Sequence, residues 1–193
     1  GFYHIGLYIN RRDAIEALHF GIFCILIGLR AIATGEKTIA ILFPFLGWKF
    51  LLILEYLSFY LGLSFFVNYF YCLFREITYY PIVVLVNILG IGFGLLVLFT
   101  SSFFFTKTVH IYQLIMVFYI LYGIGVVSFG FFRGHRGTGT FLLSLLVFSL
   151  TILNDLLHGN QIVQTTFIAP FGFFSFIFLQ SYLLSKNFSR SFQ

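Results

Sequence analysis

Ionisable side chains inside apolar runs are where this chain could do chemistry, because a charge in hydrocarbon needs a partner, a proton or a water-filled path. Glu16, His19 and Arg30 share one such run. At 3.6 residues per turn all three fall within about 60° of one another, so that helix has a polar face that should look toward other helices. Glu55 stands about two turns in from Trp48, too deep for a short side chain to reach water easily. Ser58 and Gly62 continue its stripe, and small residues let a neighbouring backbone approach. Asp155 precedes Leu156-Leu157-His158 and then Gly159-Asn160, read as a C-terminal cap, so its carboxylate lies in the last turn of a helix. An anion there opposes the helix dipole, and a cationic partner is expected. Arg30, about one turn from the outer end of its own helix, has the matching depth. The expected site is a polar cluster of Arg30, Glu55 and Asp155, with Glu16, His19, Asn154 and His158 as secondary polar contacts.

Other constellations are weaker. His4 and His19 fall at similar depth, but no ligand spacing of the His-x-x-x-His or Cys-x-x-Cys kind accompanies them, and neither a metal nor a cofactor is expected. Cys24 and Cys72 lie in apolar runs and read as reduced, buried thiols. The Arg133-Gly134-His135-Arg136-Gly137-Thr138-Gly139 loop lacks the preceding strand and the Gly-Lys-Ser/Thr ending of a phosphate cradle; it reads as a basic loop resting on anionic headgroups. Gly90-x-x-x-Gly94, with Gly92 between, suits close helix packing. With no Ser/His/Asp ordering and no paired catalytic carboxylates, the chain does not read as an enzyme.

The elements that must position these residues follow from composition. Of 193 residues 60% are hydrophobic and only 9% charged, too little polar surface to coat a water-facing globule. A bilayer accepts such a chain if each helix satisfies its own backbone. The net charge of +5 is spread singly or in pairs between apolar runs, which excludes a basic face for nucleic acid. About 20 apolar residues cross the hydrocarbon core. Segments near 14–34, 47–74, 82–105, 109–132, 139–158 and 162–185 meet that length or nearly do. Residues 1–10 are apolar but too short to span alone; the expectation is the inner half of a first helix, with a re-entrant or interfacial piece as the alternative.

The predicted fold is an all-α polytopic membrane helix bundle, a single domain over 1–193 with seven helices in the parent and a tail at 186–193. No internal repeat of the kind many transporters carry is evident. Arg11, Arg12, Arg75, Arg133, Arg136, Lys186 and Arg190 gather at one set of helix ends, against Arg30, Lys37, Lys49 and Lys107 at the other. That asymmetry predicts a cytoplasmic C-terminus, and Trp48 and Tyr79-Tyr80 beside Pro81 suit the membrane interfaces.

Arg11-Arg12 after a half helix, Leu29-Arg30 leading to Thr34-Gly35-Glu36, Leu54-Glu55-Tyr56-Leu57 and Asn154-Asp155-Leu156-Leu157 together carry a resemblance. It extends through Ala169-Pro170-Phe171-Gly172, Gln180-Ser181 and Phe188-Ser189-Arg190-Ser191-Phe192. In these motifs the sequence resembles the bacterial seven-transmembrane receptors with diverse intracellular signalling modules, over essentially its whole length. The resemblance implies a receptor domain in the bacterial inner membrane. It would couple an extracytoplasmic sensor domain to a cytoplasmic output domain of the same polypeptide, a kinase, cyclase, diguanylate cyclase or phosphatase. Arg30, Glu55 and Asp155 would then be signalling or ligand-proximal. Expected partners are the lipid bilayer, those two domains and a second copy in a homodimer. The alternatives are a transporter or channel with an intramembrane polar path, and a lipid-modifying enzyme using Asp155 and His158 as acid and base.

Overall fold

A computed structural model of the chain describes residues 1–34, 39, 45–135 and 137–190, the last six of these for backbone only. Gly35, Glu36, Lys37, Arg136, Ser191, Phe192 and the side chains of Lys186, Phe188, Ser189 and Arg190 lie outside the described residues. Among those described, regular structure is entirely helical: α1 Phe2–Asn10, α2 Ile15–Ala33, α3 Trp48–Leu73, α4 Tyr80–Phe99, α5 Ser102–Phe132, α6 Thr138–Gly159 and α7 Ala169–Arg190. Five of them, α2 to α6, are long and apolar enough to cross a membrane; the apolar stretch of α7, Ala169–Leu184, is shorter.

Four helix ends depart from expectation, each for a local reason. Helix α4 stops at Phe99 and not near 105, because Thr100 turns extended (ψ 171°) and its hydroxyl bonds back to the Leu96 carbonyl at 2.6 Å. The Ser101 carbonyl then receives the amides of Phe104 and Phe105, opening α5 earlier than expected. Helix α7 begins at Ala169 and not near 162, with Pro170 in its first turn where a missing N–H does no harm. Helix α6 continues through Gly159, and Gln161, not Gly159, takes the left-handed conformation (φ 59°).

The chain divides into two compact units, Gly1–Tyr112 and Gln113–Gln193, with the boundary inside α5. In the first unit α2 and α3 run antiparallel, since Arg30 meets Glu55, Phe23 meets Phe66 and Phe20 meets Tyr69. Helix α4 runs antiparallel to α3 in turn, from Tyr80 on Tyr71 to Phe93 on Tyr60. Helix α1 crosses α2 where Gly21 admits Ile5: a Cβ on Gly21 would lie 2.8 Å from the Ile5 Cγ1. The first part of α5 enters this unit through Phe105 against Tyr56 and Tyr112 between Phe59 and Phe93.

In the second unit α6 and α7 are antiparallel, from Phe141 and Phe148 on Phe176 to Phe148 on Phe173. The later part of α5 lies against α6 through Gly123 near Leu145 and Phe131 near Gly139. Helices are apolar outside as well as inside. On α4, Val83, Val86, Gly90, Gly94 and Val97 are buried while Leu85, Ile88, Ile91, Leu95 and Leu98 are exposed. Two apolar faces on one helix suit a medium of lipid.

Candidate functional site

Arg30 lies in the last turn of α2, where a cation complements the helix dipole. Its Nη1 donates to the main-chain carbonyl of Glu55 at 3.2 Å, and its guanidinium carbon stands 4.4 Å from the centroid of the Phe59 ring. The Ser58 hydroxyl donates to the same carbonyl at 2.9 Å. The Glu55–Ser58–Gly62 stripe therefore looks at α2: a Cβ on Gly62 would touch the Ile27 Cδ1 at 3.2 Å. The structure brings the Arg30 side chain onto the Glu55 main chain. Glu16 sits in the first turn of α2, half-buried, and the His19 ring lies tilted against Phe65.

Asp155 finds its partners in a different kind of group. Its Oδ1 accepts the Ile168 amide at 2.7 Å and its Oδ2 the Ala169 amide at 3.1 Å, while the Asn154 amide donates to Oδ1 at 3.2 Å. Where a cationic side chain was expected, the positive end of α7 supplies the compensation. The accounting at that helix start is complete. Ala169 is held by Asp155, Pro170 has no N–H, and Phe171 and Gly172 donate to the Ile168 carbonyl. Asn154 also donates to the Thr166 carbonyl at 2.9 Å, so the pair holds the returning segment 160–168 at two places. Each amide bonded to a carboxylate contributes on the order of 1.5–3 kcal/mol. The His158 ring meets Phe167 edge-on at 4.8 Å, and its Nδ1 is buried with no hydrogen-bond partner among the described residues.

Two segments thirteen or more residues apart, Asn154-Asp155 and Ala169-Pro170-Phe171-Gly172, thus form one structure. Gly172 completes it, because a Cβ there would collide with Thr151 and force α7 off α6. Arg30 and Asp155 belong to different units.

Gly90 and Gly94 are buried on α4. A Cβ on Gly90 would collide with the Ser64 hydroxyl, and one on Gly94 would lie 3.3 Å from the Leu57 Cδ1; one on Gly92 would meet nothing within 4 Å. Cys24 is buried, but Cys72, expected to be buried, is exposed near the end of α3. Helical phase places it on the outer side there, which apolar flanks alone do not reveal.

Three polar links escaped the sequence reading because none involves a charge. Asn68 and Asn87 exchange side-chain amide bonds at 3.0 Å in both directions between α3 and α4, and Asn87 also donates to the Val83 carbonyl. The fully buried Gln180 donates to the Ser144 hydroxyl at 2.5 Å, joining α7 to α6. The Tyr112 hydroxyl donates to the Tyr60 carbonyl at 2.9 Å. For the first two an Asn, Gln or Ser in an apolar helix was the available signal, since such groups act as interhelical glue; the tyrosine link had none, because tyrosine is common in this chain.

This arrangement is that of a multi-pass membrane protein with polar links between helices and no cluster of three metal-ligating side chains among the described residues. Residues 1–187 match the family model for 7TM diverse intracellular signalling, and the chain belongs to that family of membrane receptor and signalling domains. No curated protein and no solved structure matches it significantly.

Proposed function

We propose that the chain is the transmembrane relay of a bacterial inner-membrane receptor, coupling an extracytoplasmic sensor domain to a cytoplasmic output module. The observation that carries the reading is the family match over residues 1–187. The relay itself does no chemistry; ligand acts by favouring one of two helix packings. Arg30, Glu55 and Asp155 are the residues nearest the signal, with Arg30 and Asp155 paired in at least one of those packings, and two copies of the chain act together. The contact between Arg30 and the Glu55 main chain supports the first half of that cluster.

The direction of signalling is tested with impermeant thiol labelling in intact spheroplasts, using single cysteines at His135 and Thr165 in a background where Cys72, which is exposed, is replaced by Ser. Label at 165 and protection at 135 is the expected result, because the basic ends belong to the cytoplasm. The reverse pattern overturns the direction and the receptor reading with it. A double-mutant cycle on Arg30→Met and Asp155→Leu tests the pair: a coupling of about 0.5–3 kcal/mol is expected, and simple additivity removes it.

A further inference from the structure

We propose that Asn154 and Asp155 form a releasable latch on the start of α7, a local two-state device that opens without unfolding the α6–α7 pair. The receptor reading supplies only what such a movement is used for; the latch stands or falls by itself. Its closed state is made of few, separable bonds. The Asp155 carboxylate holds the amides of Ile168 and Ala169, and the Asn154 side chain holds the Thr166 carbonyl. Beyond these the segment is tied to α6 by the Ile162 and Val163 amides on the Leu157 carbonyl and by the Phe167 ring on His158, while Ile162, Thr165, Thr166 and Phe167 are themselves exposed, so little buried surface opposes its release.

The closed state also carries strain. Helix α6 ends with the Gln161 amide on the His158 carbonyl and the Ile162 amide on the Leu157 carbonyl, a reversal that requires a left-handed residue. Gln161 occupies that place at φ 59°, where a Cβ is disfavoured. The main-chain bonds of the reversal hold Gln161 there, and the Asn154 and Asp155 bonds anchor the segment that follows it, so release of that segment gives the strained residue room to relax.

Deeper in the unit the two helices are tied by different means. Gln180 on Ser144 and the packing of Phe148 on Phe173 and Phe176 do not involve the loop. They form a pivot that stays closed while the first turn of α7 comes away from α6. At that first turn the helices are in close contact through Gly172 and Thr151, so separation there is the movement that opening permits.

Hydrogen exchange of the whole chain in lipid nanodiscs tests the latch, comparing the parent with Asp155→Asn and Gln161→Gly. Asn keeps the size of the side chain but has no charge and puts an NH2 donor in the place of one of the two oxygens, so the amide that faced that oxygen loses its bond. The expected result is exchange at Ile168, Ala169, Phe171 and Gly172 faster by about tenfold or more, with residues 144–149 and 176–180 changed by less than about twofold. Gln161→Gly relieves the strain of the closed state and is expected to slow exchange of the same four amides by about threefold or more. Unchanged exchange in Asp155→Asn overturns the proposal. So does uniform loss of protection through α6 and α7, or failure of that variant to fold, since the bonds are then part of the fold and not a latch. A Gln161→Gly variant that leaves those amides as they were overturns the strained closed state.

Discussion

Helix α6 is entered and left by turns that share one main-chain reversal and differ in the residue that takes its left-handed place. Before it, α5 ends with the His135 amide on the Gly130 carbonyl and the Gly134 amide on that of Phe131, and Gly134 takes the left-handed place at φ 76°. A second glycine, Gly137 at φ 81°, then starts α6, and Thr138 donates back to the His135 carbonyl at 2.6 Å. After α6 the same kind of reversal places Gln161 where the first turn has glycine. It is followed by a segment held by Asn154 and Asp155. Both reversals are closed by the same pair of main-chain bonds; the first seats glycine in the left-handed place, while the second seats Gln161 there and leads into a segment that side chains hold. The first turn has one local side-chain bond, from Thr138, whereas the segment after the second depends on side chains of α6 and is expected to open when those bonds are lost.

The largest effect that would sharpen this contrast is expected at Gly137. A side chain there meets both a positive φ and the Leu183 Cδ1 at 3.0 Å. Gly137→Val should lower stability by about 2–4 kcal/mol, adding left-handed strain to overpacking, and the loss should be spread through the α6–α7 unit. Thermal unfolding in detergent, read together with hydrogen exchange, checks it. A loss confined to residues 133–138 would mean that this turn also opens locally, and the contrast would collapse.

Next in size is Asn154→Ala, which removes the bond to Thr166 and one donor to Asp155 while leaving the Ile168 and Ala169 amides in place. Its expected destabilisation is about 1–2 kcal/mol. The effect should appear first as proteolytic cleavage or exchange within 160–168, with α5 and the turn at 133–138 unaffected. Equal sensitivity at the two turns would break the comparison.

How much of this was legible beforehand depends on the range of the interaction. The five long helices announce themselves, because runs such as Tyr80–Phe99 have no alternative to lipid or a core. The early start of α5 was hidden by Phe103-Phe104-Phe105, which make hydropathy continuous across the break; Thr100-Ser101-Ser102, residues that favour helix ends, were the sign of it. The start of α7 was likewise marked by Pro170, as Pro81 marked α4, but Ile162 and Val163 extended the apolar run in front of it. Asp155 could be recognised as needing positive compensation from its place in a last turn. That the compensation comes from main-chain amides thirteen and fourteen residues later could not, since a helix N-terminus has no residue type of its own to read. The Asn68–Asn87 pair was legible in kind, since an uncharged amide inside an apolar helix seeks another helix, but the partner was not, because nothing in the spacing of the two residues marks them as facing one another.

The smallest effect is the most discriminating, because it differs in sign between the two turns. Gly134 and Gln161 hold equivalent left-handed places, one with glycine and one without. Gly134→Ala should destabilise by about 1 kcal/mol, the lower end of the strain that a Cβ brings to that conformation, since open space surrounds the position and nothing else is disturbed. Gln161→Gly should stabilise by up to about 1 kcal/mol, less the entropy that glycine adds to the unfolded chain. The Gln161 amide, which bonds to the His158 carbonyl at 2.9 Å, is retained in that change. Paired melting curves of the two variants in the same lipid decide the matter. If both changes destabilise, the Gln161 side chain contributes more than its backbone strain removes, and the turn after α6 is as well adapted to its shape as the turn before it. If the signs are opposite, the molecule keeps avoidable strain at the end of α6 where the Asp155 bonds begin, and relieves the same strain with glycine at the end of α5.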